Sequence, residues 1–168
     1  MFKVITLAVG LGLSGLAAQA NEAAAPLIDK GFVEGWNLMV DPSFGNGCLI
    51  QTVYQDLSVV RIGFDALQNR GYFAVINKAW GDIEKGAQYP IQFDLDGERF
   101  DATAIGLRDG KIPGAIVFFK DRAFVHAIAQ KKVMTVYGVD GQQVISIDLH
   151  GTAKALDYAR TCQQEQTG

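Results

Sequence analysis

Enzymatic chemistry needs a nucleophile beside a base, a pair of convergent carboxylates or a metal cage, and this chain of 168 residues holds sparse material for each. Its two histidines stand apart: His126 is embedded in Phe124-Val125-His126-Ala127-Ile128, and His150 lies between Leu149 and Gly151. Neither belongs to an H-x-x-x-H or H-E-x-x-H arrangement, so a zinc site would need ligands gathered from afar. Ser43, Ser58 and Ser146 lack a G-x-S-x-G elbow or an S-x-x-K pair. Asp94-Leu95-Asp96-Gly97-Glu98, with Asp101 after it, resembles the start of a calcium loop, but Ile105 stands where the pattern requires a glutamate. An acidic hairpin turn explains the same residues. The reading assigns no catalytic residue, no metal ligand and no cofactor.

Cysteine chemistry is more informative because of where the chain is expected to go. Lys3, the apolar stretch from Val4 to Leu16 and the ending Ala18-Gln19-Ala20 form a secretory signal peptide, with the mature chain beginning at Asn21. The apolar stretch is too short to span a bilayer, and no later segment reaches the roughly 18 to 20 apolar residues a transmembrane helix needs. The expected destination is a bacterial periplasm or the exterior. There, the only two cysteines, Cys48 and Cys162, should form a disulfide. A bond closing so long a loop contributes about 4 to 5 kcal/mol in the chain-entropy account. Without a C-x-x-C pair, thiol redox activity is not expected.

One loop carries residue types suited to binding. Lys78-Ala79-Trp80-Gly81-Asp82-Ile83-Glu84-Lys85-Gly86 reads as a connector with Tyr89 just beyond it. An aromatic ring on a loop offers large contact area at low entropic cost, so Trp80, Asp82, Glu84, Lys85 and Tyr89 form the candidate binding site. The competing reading makes Trp80 a lid that folds back with Ile83 over one end of the core.

The elements that would hold these residues follow from short apolar segments cut by glycine at intervals of about ten residues, the rhythm of an all-β sandwich or barrel. The expected strands are 36–40, 48–55, 58–65, 71–78, 89–95, 99–107, 115–120, 133–138 and 143–149. Asp96-Gly97 and Asp140-Gly141 each separate alternating apolar runs, and both are read as tight hairpins with positive φ at the two central residues. Residues 27–32 are read as one turn of helix. A short helix over 121–130, with Asp121 as its cap, presents Phe124, Val125 and Ile128 on one side. A C-terminal helix over 151–163 carries Ala153, Leu156, Ala159 and Cys162 at three-residue spacing, so its apolar face includes the cysteine. The expected architecture is mainly β, an antiparallel sandwich or partly open barrel of about eight or nine strands with the C-terminal helix packed on it. The expected organisation is signal peptide 1–20, tether 21–34 and a single β-rich domain 35–168.

Removing the signal takes away Lys3 and no acidic residue, leaving 14 basic side chains against 18 acidic ones. That balance produces no field for polyanions, so nucleic acid is excluded as an expected partner.

The early cysteine, the Trp80–Gly86 connector and the ending Ile147-Asp148-Leu149-His150-Gly151-Thr152-Ala153-Lys154-Ala155-Leu156 resemble small periplasmic proteins of the invasion-associated locus B family. In that family a closing strand passes through a Leu-x-Gly step into a final helix with an Ala-Leu or Ala-Phe pair. The resemblance spans roughly Trp36 to Cys162, and the family's usual additional internal cysteine pair is missing here. It implies a β-rich extracytoplasmic domain without established catalytic residues.

The leading expectation is therefore an exported, non-enzymatic protein that binds another envelope or extracellular protein. Two alternatives differ in what they require. A small-molecule carrier needs an apolar cavity between the sheets that opens to solvent, and a hydrolase with a dispersed site needs a serine or carboxylate pair converging on His126 or His150.

Overall fold

The computed structural model describes residues 25–120 and 122–167, so the signal peptide read over 1–20 and the cap read at Asp121 lie outside the described residues. Among those residues, alternating apolar positions and turn pairs yield ten strands: β1 (Ile28–Val33), β2 (Trp36–Asp41), β3 (Gly47–Val53), β4 (Val59–Asp65), β5 (Arg70–Ile76), β6 (Gln88–Leu95), β7 (Glu98–Asp109), β8 (Ile112–Phe119), β9 (Val133–Gly138) and β10 (Gln143–Asp148). Helix α1 (Arg122–Gln130) precedes β9, and α2 (Thr152–Thr167) follows β10. All the strands join one sheet in the order β1-β2-β3-β4-β5-β8-β7-β6-β9-β10. The central β5–β8 and β6–β9 pairings are antiparallel like the hairpins around them.

This sheet cannot be flat. Ten strands at roughly 4.8 Å spacing would span about 43 Å, yet Leu38 and Val40 near one end share a core with Ile145 and Ile147 at the other. The sheet curls around its apolar face instead. It stays open: β1 and β10, the two ends of the order, do not pair among the described residues. Expectation and structure thus agree on a mainly β, open antiparallel architecture, but one continuous sheet of ten strands replaces two separate layers.

Side chains and a covalent bond close the gap that no ladder spans. The Trp36 indole N–H donates to the His150 carbonyl at 3.0 Å, and the Tyr54 hydroxyl donates to the Asp148 carbonyl at 2.8 Å. Burial, and then the nearby Asp148 carboxylate, push the Tyr54 phenol above its ordinary pKa, so it remains a donor. Helix α2 packs across β2 and β3 with Ala155, Leu156, Ala159 and Cys162 buried. The Cys48–Cys162 disulfide fastens it there, with Cα atoms 6.0 Å apart, and the Gln163 side chain accepts from the Cys48 N–H at 2.8 Å.

Two local readings are corrected. Residues 27–32 form no helical turn, because residues 28–33 pair with β2 as β1, through the two-residue turn Glu34-Gly35 and a bulge between Asp29 and Gly31. The strand therefore begins inside the segment expected to be a tether. Its own residues are mostly exposed and do not alternate, so pairing with β2 makes it a strand. The two Asp-Gly turns also differ from each other. Asp96 and Gly97 both take positive φ, 51° and 91°, as a two-residue hairpin requires. At the second turn only Gly141 does, with φ 73°; its N–H bonds the Gly138 carbonyl and the Gly138 N–H bonds the Gln142 carbonyl, the longer hairpin with a bulge.

Loss of the disulfide should loosen α2 and the gap it covers together. The Cys48→Ala, Cys162→Ala double variant is expected to lose about 2 to 5 kcal/mol in denaturant unfolding. An unchanged midpoint would show that packing alone holds α2 in place.

Candidate functional site

The interior of the curl is divided along its strands. On one side, α1 inserts Phe124 against Phe93, Phe100 and Phe119, with ring centroids 5.1, 5.3 and 5.0 Å away. Phe73 stacks edge-on against Phe93 at 5.4 Å. On the other side of Phe73 the same strands present Val75, Ala104, Ala115 and Val117, and among the described residues no helix fills the space. A cleft of about 510 Å³ remains there, open to solvent. Small side chains at Ala104 and Ala115 and the missing one at Gly138 leave this room, while Ile91, Val136 and Ile145 complete an apolar wall. The volume falls within the range of small-molecule sites.

The 77–87 connector lies at the mouth of the cleft, held by a series of turns. Asn77 starts it: the side-chain oxygen accepts from the Ala79 N–H at 2.7 Å and the backbone carbonyl accepts from the Trp80 N–H at 3.1 Å. The Trp80 carbonyl in turn accepts from the Ile83 N–H. The buried Asn77 amide donates to the Ser58 hydroxyl, which itself donates to Asp56 at 2.8 Å. The Ser58 amide and hydroxyl together hold the Asp56 carboxyl below the ordinary carboxylate range. Farther along, the Tyr89 hydroxyl accepts from the Glu84 N–H at 2.9 Å, and Gly86 and Ala87 exchange 2.8 Å bonds with Gly106 on β7.

Of the residues proposed for binding from the sequence, Trp80, Asp82 and Tyr89 line the cleft. Glu84 and Lys85 lie on the same connector, exposed and outside the lining. Trp80 is half-buried and packs against the main core, so it touches both the core and the cavity. The far wall, with Val139, Asp140, Val144 and Ile145, was missed from the sequence. These residues come from the β9–β10 hairpin, and no local pattern links them to the connector some sixty residues earlier.

Several residues considered for catalysis take part in hydrogen bonds that hold the fold. His150 donates its N–H to Asp148, and its carbonyl receives the Trp36 indole. His126 lies in α1, but its side chain lies outside the described residues. Ser58 is committed to Asn77 and Asp56, and Ser43 bonds Asp41. In the acidic turn, Asp94 accepts from the Gly97 N–H at 2.7 Å, while Asp96 accepts from the Lys132 and Val133 amides at 2.8 and 3.3 Å. Among the described residues no three His, Cys, Asp or Glu side chains gather as a metal site, and no helix is long and apolar enough to cross a membrane.

Fold and site together define a small, disulfide-fastened β domain with an apolar cleft under a tied loop. No family model matches the chain, and no curated protein matches it. Among solved structures, the chain is similar to invasion associated protein B from Bartonella henselae, with a TM-score of 0.58 at 12% sequence identity. The match covers 83% of this chain and 99% of that one, and it establishes a shared fold.

The loop's attachment has a clear weak point. A Cβ at Gly106 would stand 2.0 Å from the Glu84 carbonyl oxygen. Gly106→Ala is expected to lift the connector from β7, costing about 1 to 3 kcal/mol and exposing Trp80 to chymotrypsin. An unchanged melting temperature with no new cleavage would show that the loop is held elsewhere.

Proposed function

We propose that this is an exported, non-enzymatic binding protein that carries a small apolar ligand in the cleft beneath the Trp80 connector. The cleft itself carries the reading. A solvent-open apolar cavity is what a carrier needs and a flat interaction surface lacks, and among the described residues its lining includes no serine or histidine for a hydrolase to use. Export is supported by the signal peptide read over residues 1–20 and by a disulfide, which persists in oxidising compartments. The shared fold with a protein associated with invasion fits work outside the cytoplasm. A non-catalytic role is supported by the commitment of the Ser58 hydroxyl to Asn77 and Asp56.

Binding of another envelope protein is the second reading. The exposed charges Asp82, Glu84 and Lys85 around a half-buried tryptophan favour it, since a polar rim around an aromatic anchor is a common interface pattern. The two readings separate in a direct titration. N-phenylnaphthylamine, a neutral apolar fluorophore, is expected to brighten on addition of the mature protein, and Ala115→Phe, which fills the cleft from β8, should weaken that response about tenfold or more while the melting temperature holds or rises. No response from the native protein, or an equal response from the variant, would overturn the carrier reading.

A further inference from the structure

The charged side chains at the cleft are all of one sign. Among the described residues, Asp82 and Asp140 are the only ionisable side chains along its lining apart from the Tyr89 phenol, and no Lys, Arg or His takes part. Both aspartates are exposed, which puts them at the solvent end of a wall otherwise made of Phe73, Val75, Val117 and their neighbours. We infer that the ligand is a cationic amphiphile, with its apolar body in the cleft and an ammonium group at the mouth between the Asp82 and Asp140 carboxylates. The inference rests on the reading of the cleft as a ligand site and adds the ligand's charge.

The hydrogen bonding of the aspartates supports the assignment. Elsewhere in the fold, aspartates are occupied: Asp41 holds Ser43, Asp65 holds Arg70 and the Gln68 N–H, and Asp109 holds Arg61. Asp82 has no hydrogen-bond or ion-pair partner among the described residues, and Asp140 accepts one bond, from the Gln142 N–H at 3.0 Å. An ionised carboxylate offers about four lone-pair sites, so both retain acceptor capacity directed at no protein group. Trp80 and Tyr89 add aromatic rings at the same mouth, and ring faces attract quaternary ammonium groups. Lys78 and Lys85, the cations on the connector, lie outside the lining and leave this charge pattern intact.

Three amphiphiles with one tail and different heads test it: octyltrimethylammonium, octyl glucoside and octyl sulfate, titrated as monomers into the full mature protein by calorimetry, with N-phenylnaphthylamine displacement as the second readout. The expected order is ammonium, then glucoside, then sulfate, with about tenfold or more between the extremes. The Asp82→Asn, Asp140→Asn double variant keeps the shape and the acceptor for Gln142. It should reduce ammonium affinity to that of the glucoside and leave the glucoside unchanged. Sulfate binding as tightly as ammonium, or a variant that keeps the preference, would overturn the charge assignment while the cleft remained a ligand site. Failure of all three amphiphiles and of the fluorophore would instead remove the carrier reading, and this inference with it.

Discussion

A curled sheet whose end strands do not pair depends on whatever crosses the gap. Here the crossing is made by the joint between β10 and α2: the carbonyls of Asp148 and His150 receive the Tyr54 hydroxyl and the Trp36 indole, two donors that reach over from the opposite end of the strand order. The Trp36 side chain is buried, and a buried indole N–H without a partner would cost about 1 to 3 kcal/mol. The gap is therefore held by groups that lose their hydrogen bonds if it opens. The disulfide adds a constraint on the unfolded chain and keeps α2 over β3, where its apolar face covers the same core.

Closure at the helical end changes what the other end can do. The aromatic group around Phe124, with Phe93, Phe100 and Phe119, packs the interior solidly on one side of Phe73. With that core in place, Ala104, Ala115 and Gly138 leave space on the other side of Phe73. The connector over the mouth is held independently of any ligand: Asn77 anchors its start through Ser58, and Gly106 docks its end. A rim tied to the fold in this way would lower the entropic cost of binding for any ligand of the cleft, since little of the site would have to be ordered.

Much of this was legible in the residues, for reasons that differ by element. Nine strands follow from alternation and from turn chemistry, Asp96-Gly97 most directly. The disulfide followed from compartment and count, and the final helix from apolar spacing that includes Cys162. Strand β1 was not legible because Lys30 and Gly31 interrupt any alternation and its edge position buries little; Glu34-Gly35 makes a positive-φ turn without belonging to the strongest turn pairs. The cleft was half legible. Trp80 and Tyr89 stood out as aromatic residues at a loop, whereas Ala104, Ala115, Asp140 and Ile145 matter through where the curl brings them, and nothing local to them marks a cavity.

One end of this curled sheet is packed by α1, while the other holds an apolar cleft. Crystals of the mature protein pressurised with xenon test it most directly, since xenon enters apolar space without polar partners. Xenon density is expected against Val75, Ala115 and Val117 beneath Trp80, with none between α1 and the sheet. A Trp80 ring folded onto Phe73, filling that space and leaving no xenon there, would contradict it.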